Sequence, residues 1–346
     1  MDFAFSEEQE MLRAAARQWL ADRYPVDRVA TLADGDGWDP AVWKELTELG
    51  WLDPELDLLE QAVLAEEAGY ALLPAPWLSS VALAGPALGG PPAKPATLAW
   101  ADDAARTLRD AANTVSCRAD DDVDGWRLTG VKRAVPDLAA AATAVVVARE
   151  HDRVTLFRVD LVDHPETVHP QSTVDRTRRL GELRLDGTPA ERLDGDVGVV
   201  LRDVRRRALA LLACEAAGVT QRALDLAVEH AKTRTQFDRP IGSYQGVSHR
   251  LANVYTALAL ARSLAYRAAW CVAVDDPAQD EAVASAAVAA ARAAVGGCED
   301  AIQSMGGIGF TWDHPLHRYY KRAQWIASFD GSPSKHRAEL AELILG

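Results

Sequence analysis

Apolar residues recur with a helical period at both ends of the chain and lose it in the middle, a pattern that constrains the fold more than any single residue. Near the start, Met11, Ala15 and Trp19 fall at i, i+4 and i+8. Ser6-Glu7-Glu8-Gln9 reads as a capping box, with Ser6 at N-cap and Gln9 at N3. Helical runs are predicted over about 39–50 and 55–73. Pro74, Pro76 and Pro86 should break the chain, and Gly89-Gly90-Pro91-Pro92 predicts a linker. From about 96 to 200 the period changes. Trp126 and Leu128 alternate with polar residues, as do Leu183 and Leu185, beside the turn pairs Asp124-Gly125 and Asp186-Gly187. Thr143 to Ala148 is a continuous Val-rich run, suited to a strand buried on both faces. The helical period then returns: Val219, Ala223, Leu226 and His230 form one stripe, and Leu251, Val254, Leu258, Ala261 and Ala265 another. Residues 281–305 predict a third long helix. The fold expected is α+β and mainly α: a helical domain at 1–95, a β domain at 96–196 and a helical domain at 197–346.

Charge and composition narrow the partners. The 346 residues carry 37 Lys plus Arg against 51 Asp plus Glu, a net charge of −14. That balance argues against nucleic acid or an anionic membrane, since both reward a basic surface. No run of 18 apolar residues predicts a membrane span. The acidic opening Met1-Asp2-Phe3 is unlike a secretion signal. Cys117, Cys214, Cys271 and Cys298 are far apart, so neither a disulfide framework nor a zinc site is expected, and reduced thiols fit a cytoplasmic location.

Three segments could carry chemistry. Arg234-Thr235-Gln236-Phe237-Asp238-Arg239-Pro240-Ile241-Gly242 links two long helices; its arginine could clamp a phosphate and Phe237 pack on a flat ring, but it also suits an ordinary interhelix loop. Gln303-Ser304-Met305-Gly306-Gly307-Ile308-Gly309 could let a backbone approach a ligand, or be a plain glycine cap. It is no dinucleotide fingerprint, because Trp312 stands where the last glycine would be and no strand precedes it. Asp330 lies in the apolar setting of Trp325, Ile326 and Phe329; it could serve as a base, or be a turn residue before Gly331. The pair His314 and His317 lacks a third metal ligand, so no metal is expected. Ser332-x-x-Lys335 mimics a nucleophile motif without its companions. Arg205-Arg206-Arg207, Arg176 and Arg178-Arg179 read as solvated surface.

Taken together, these segments resemble the acyl-CoA dehydrogenase family. The likeness is carried by residues 227–242, by Gln303-x-x-Gly306-Gly307-x-Gly309-Phe310 and by the opening Phe3-Ala4-Phe5-Ser6-Glu7-Glu8-Gln9. The resemblance implies an N-terminal helical domain, a middle β domain and a C-terminal four-helix bundle. It also implies FAD, an acyl-CoA substrate, an electron-transfer acceptor and α,β-desaturation, in which a carboxylate removes the α proton and the flavin takes the β hydride. By the family pattern Arg234, Phe237, Gln245, Gln303, Gly306 and Gly307 hold the adenine and pyrophosphate half of FAD, and Asp330 aligns with the family's glutamate base.

Two departures stand out, both on the flavin-ring half. The family's Thr-Glu-Pro-x-x-Gly-Ser-Asp stretch is reduced to Cys117-Arg118-Ala119-Asp120-Asp121-Asp122. Its Gly-x-Lys-x-Trp-Ile-Thr becomes Gly130-Val131-Lys132-Arg133-Ala134-Val135-Pro136, so the aromatic wall is gone and Pro136 offers neither hydroxyl nor N–H. A chain with the clamp but not the cradle suits the flavin-sharing subunit of a heteromeric enzyme made of two unlike subunits. A self-sufficient homo-oligomer with Asp330 as base and a non-catalytic scaffold are the other two readings.

Overall fold

A computed structural model describes residues 5–123 and 125–346. Residues Met1 to Ala4 and Asp124, which carry part of the family-like opening and of one predicted turn, lie outside the described residues. In chain order the elements begin with α1 (Glu7–Arg23), α2 (Val26–Asp34), α3 (Ala41–Glu48), α4 (Leu58–Ala71) and α5 (Gly85–Leu88). There follow β1 (Ala96–Ala99), α6 (Leu108–Ala111), β2 (Arg118–Asp122), β3 (Gly125–Pro136), β4 (Thr143–Glu150), β5 (Arg153–Asp160), β6 (Val168–Gln171) and β7 (Leu180–Arg192). The chain ends with α7 (Val197–Thr233), the two-residue strands β8 (Thr235–Gln236) and β9 (Arg239–Pro240), α8 (Gln245–Ala273), α9 (Gln279–Met305), α10 (Leu316–Ser328) and α11 (Pro333–Leu345).

These elements cluster into two compact units. One comprises residues up to Asp34, Asp57–Leu73 and Leu209–Gly346; the other comprises Gly35–Leu56 and Pro74–Ala208.

In the helical unit the predicted capping box is formed. Ser6 Oγ accepts from Gln9 N at 3.1 Å, and Gln9 Oε1 accepts from Ser6 N at 3.1 Å. Asp57 and Glu60 build a second box at the start of α4. Helices α4 and α7 approach so closely that both are stripped of side chains where they meet. A Cβ on Gly69 would lie 2.2 Å from the Glu215 carbonyl, and one on Gly218 would lie 1.9 Å from that of Glu66. The carboxylates of those glutamates are buried and answered by arginine: Glu66 by Arg262 at 2.8 Å, Glu215 by Arg322. Residues 279–310 are the one described helical stretch long and apolar enough, by length and composition, to cross a membrane. Its alanines at 282, 286, 290 and 294 are buried, the use a core helix makes of such a sequence.

In the second unit β4, β2, β3, β7 and β5 form a closed ring, since β5 pairs back onto β4; β1 adds to β4 in parallel and β6 to β7. Closure leaves few free strand edges. The expected alternation in β3 and β7 and the buried run in β4 are both realised, with Leu128, Val146, Phe157, Leu183 and Leu185 in the core. Two of the prolines behave differently from expectation. Pro74 falls in the irregular segment after α4, as expected. Pro76 and Pro86 open a buried helical stretch instead of breaking the chain: Ser79–Ala84 forms a π-helical turn and Pro86 sits in the first turn of α5, where a missing N–H costs nothing. Arg178 is also not solvated surface, being only 6% exposed.

The ring is fixed at its least expected point by a buried ion pair. Lys132 Nζ lies 2.7 Å from Asp102 Oδ2, and neither side chain is exposed. Asp102 also accepts four backbone N–H groups, from Ala104, Ala105, Ser116 and Cys117. Burial alone would raise its pKa, but Lys132 and these amides hold the carboxyl below its ordinary value. Replacing Lys132 by Met should leave a buried, unanswered charge and lower stability by about 3–5 kcal/mol. Urea unfolding of Lys132→Met measures this, and the double variant with Asp102→Leu should recover part of the loss.

Candidate functional site

The segment after α7 turns on a tight hairpin. Phe237 (φ 51°) and Asp238 (φ 64°) occupy the two central positions between β8 and β9, both in the left-handed region that a type I′ turn demands. Asp tolerates that region; a bulky Phe pays for it in strain. Phe237 is nevertheless 86% exposed, with its ring edge toward Tyr244 at 6.4 Å. Arg239 stacks over the Tyr244 ring at 4.0 Å, and the Tyr244 hydroxyl donates to Gln236 O at 3.2 Å. Gly242 is required because a Cβ there would meet the Ala231 carbonyl at 3.0 Å. Arg234 and Gln245 flank the hairpin, both exposed.

Gln303 is exposed in the last turn of α9. Gly306 follows at φ 66°, ψ −142°, a conformation that favours glycine. Neither Gly306 nor Gly307 has anything within 4 Å of where a Cβ would be, so their backbone faces open space. Gly309 differs: its Cβ would strike the Ile302 carbonyl at 2.9 Å, so this glycine serves packing. An open cleft of about 520 Å³, lined by Gln245, His249, Arg250, Asn253 and Asp300, runs between the start of α8 and the end of α9. Arg250 Nη1 and Asp300 Oδ1, 3.1 Å apart, tie the two helices there. Gln245 thus shares a cleft with Asp300, which lies one helical turn before Gln303 on α9. Every polar group placed by sequence on the adenine half is on the surface, where a nucleotide and its pyrophosphate could reach it.

Asp330 stands just past the end of α10, buried, with φ 54°. Asp is among the few side chains that accept this conformation. Trp325 and Phe329 lie against each other at 5.7 Å, and buried His336 is hydrogen bonded through Nε2 to Phe329 O at 3.1 Å. The motif-like Ser332-x-x-Lys335 is a helix cap: Ser332 Oγ accepts from Lys335 N at the start of α11.

The ring half is built differently. Gly130 lets β3 pass over Cys117, whose Cα would be 2.8 Å from a Cβ there, and Lys132 points into the Asp102 site. A register shift follows between Lys132 and Val135, with Ala134 at φ 51°. Val135 and Pro136 are buried, and the Pro136 carbonyl accepts from Thr97 Oγ1 at 2.6 Å. Just beyond, Asp137 accepts from Ser79 Oγ at 2.8 Å. The cavity beside it, lined by Trp38, Asp137, Ala139 and Arg179, holds only about 50 Å³. Val135 and Pro136 therefore offer a tricyclic flavin ring neither an aromatic face nor a hydroxyl, whereas the residues named at the adenine half are open to the rest of FAD.

Residues 6–89 match the acyl-CoA dehydrogenase N-terminal domain and residues 206–345 the acyl-CoA dehydrogenase C-terminal domain. The chain belongs to the acyl-CoA dehydrogenase family. It is similar to the acyl-CoA dehydrogenase IpdE2 of Mycobacterium tuberculosis, 32% identical over 341 residues with 94% of both chains covered. It is also 32% identical to the acyl-CoA dehydrogenase FadE27 of the same organism over 317 residues, covering 83% of each. Among solved structures, the Tcur3481-Tcur3483 steroid ACAD variant superposes with a TM-score of 0.84 at 29% identity, covering 98% of both chains. The ChsE4-ChsE5 complex from Mycobacterium tuberculosis gives 0.85 at 25% identity, covering 100% of this chain and 99% of that one. The fold expected from sequence is the family's fold, its members are FAD-dependent flavoproteins, and the family's chemistry is oxidoreduction.

His314 and His317 flank the start of α10. Burial, then Lys321 and Arg318, push the His317 imidazole down to about 4; it stacks on Trp312 at 4.5 Å. Folded, it stays neutral where the unfolded chain protonates near pH 6.5, so its stabilising contribution is full above 6.5 and fades as pH falls toward 4. His317→Gln should therefore lose less of its urea midpoint between pH 7 and pH 4.5 than the wild type; equal losses would exclude this histidine as the source.

Proposed function

We propose that the chain is the flavin-sharing subunit of a heteromeric acyl-CoA dehydrogenase, completing the FAD site of an unlike partner. The observation that carries this reading is the course of β3: where the family has its flavin wall, Val135 and Pro136 are turned into the core and present no aromatic face or hydroxyl. Arg234, Phe237, Gln245, Gln303, Gly306 and Gly307 remain open at the adenine half. There an arginine can make charge-assisted bonds to pyrophosphate, and bare glycine backbone can approach it closely. Hydride acceptance is what FAD supplies when bound; this chain's part is to hold and orient its nucleotide end.

Support comes from two sides. Exposed Phe237, Tyr255, Leu260, Phe310 and Trp312 leave apolar surface of the kind that subunit association covers. Both structural relatives described above are named as pairs, Tcur3481-Tcur3483 and the ChsE4-ChsE5 complex, and the first is called a steroid ACAD. The substrate class proposed is accordingly a CoA thioester with a bulky acyl group such as a steroid side chain. Its α,β-desaturation would proceed in the cytoplasm, with electrons passed on to an electron-transfer acceptor.

The chain purified alone should retain little FAD, and coexpression with an unlike partner bearing the intact cradle should yield about one flavin per pair, read from the flavin absorbance per chain. One FAD per chain in a homo-oligomer sinks the proposal.

The burial of Asp330 beside Phe329 favours the second reading, a self-sufficient enzyme with Asp330 as base. Asp is one methylene shorter than Glu, which puts its carboxylate about 1.5 Å short of a glutamate's reach, and ~1 Å of misplacement can cost about 100-fold in rate. Asp330→Asn should leave steady-state desaturation by the heteromeric complex within a few-fold. A drop of about 100-fold at unchanged flavin content would make Asp330 the base and replace the leading reading.

A further inference from the structure

Helices α1, α2, α4, α7 and α10 of the helical unit surround a cavity of about 460 Å³ that none of the family-like motifs line. Its volume falls within the range of small-molecule pockets and is about three times the ~150 Å³ that takes up benzene. The floor is apolar and buried, formed by Leu20, Val29 and Leu72, while Ala21 and Pro25 are exposed at the rim. Asp330 does not line it; eleven residues of α10, Arg318 to Ser328, ~15 Å of helix, intervene.

Three arginines line this cavity, and two are already answered. Arg17 grips Glu67 with both ends of its fork, at 2.7 and 2.9 Å. Arg318 pairs with Asp34 at 2.9 Å. Arg222 is different. Its Nη1 donates to the Tyr70 hydroxyl at 3.2 Å and it is also hydrogen bonded to Tyr319, so its partners are neutral phenols. Among the described residues no carboxylate pairs with it. Asp225, one turn further on α7, is engaged by Tyr70 at 2.9 Å and by Gln221 at 2.8 Å. The charges lining the cavity therefore cancel except for one half-buried guanidinium at the end of an apolar chamber.

We propose that this cavity binds a monoanionic amphiphile, its carboxylate held by Arg222 between Tyr70 and Tyr319 and its apolar body lying over Leu20, Val26 and Val29. Scaling from benzene, the body has roughly 10–20 non-hydrogen atoms. A guanidinium fork matches one carboxylate. A phosphate dianion would find no second free cation and would lie in the same cavity as Glu67. The inference stands independently of how the chain uses FAD.

The test is calorimetric titration of the full chain with decanoate, 1-decanol and decyl phosphate. One decanoate should bind per chain, more tightly than decyl phosphate. Arg222→Gln should weaken decanoate at least tenfold and leave decanol within twofold. Val29→Trp, which fills the chamber with Arg222 intact, should weaken both at least tenfold; Ala21→Trp, at the exposed rim, gives the same block if the core variant fails to fold. Absence of decanoate binding, tighter binding of decyl phosphate, or decanoate affinity unchanged in Arg222→Gln and in the blocked variant overturns the proposal.

Discussion

A lysine wholly removed from water has to be matched by an anion, and the β ring of this protein is organised around that requirement. Lys132 draws Asp102 into the core, and Asp102 in turn gathers four backbone amides from the loop before α6 and the entry to β2. The pair sets the course of β3 up to the register shift. Everything that makes the ring half unlike a flavin cradle follows within four residues of that anchor: the left-handed Ala134, the inward Val135 and the Pro136 carbonyl taken by Thr97. The family's Gly-x-Lys frame is kept here for a structural reason, with glycine making room for Cys117 and lysine feeding the core.

The helical unit relies on the same chemistry in another form. Glu66, Glu67 and Glu215 are all buried, and each is held by an arginine from a distant part of the chain, Arg262, Arg17 and Arg322 respectively. Buried pairs of this kind add little net stability over apolar packing but penalise every arrangement that separates them. In that setting Arg222, with phenols for partners, is the exception, and its position at the head of an apolar chamber gives the exception a chemical meaning.

The parts of this fold governed by near neighbours were legible in the sequence. Capping boxes, the stripe of α8, the Val219 and Ala223 part of that of α7, the alternation in β3 and β7 and the buried run of β4 all depend on residues a few positions apart. Leu226 and His230 stand off the buried face, which continues through Ala227 and Ala231. The family-like segments at 227–242 and 303–310 were legible because each is continuous in sequence. What could not be read is long-range pairing: nothing local in Asp102 announces Lys132, and Tyr70 and Arg222 meet across 152 positions. Pro76 and Pro86 misled because a proline is tolerated wherever a helix begins, and only burial shows that a helix begins there. Arg178 misled for a related reason, since a run of arginines looks like solvated surface until the fold closes over one of them.

The meeting of α4 and α7 has a consequence for how such a protein can change over generations. Gly69 lies under the Glu215 carbonyl and Gly218 under that of Glu66, so each helix leaves its gap where the other carries its buried carboxylate. A methyl group at either glycine would push the facing helix, and with it a glutamate, away from its arginine. A side chain at either glycine can therefore be accommodated only if the facing helix and its ion pair are rearranged with it, so the crossing has to change as a unit.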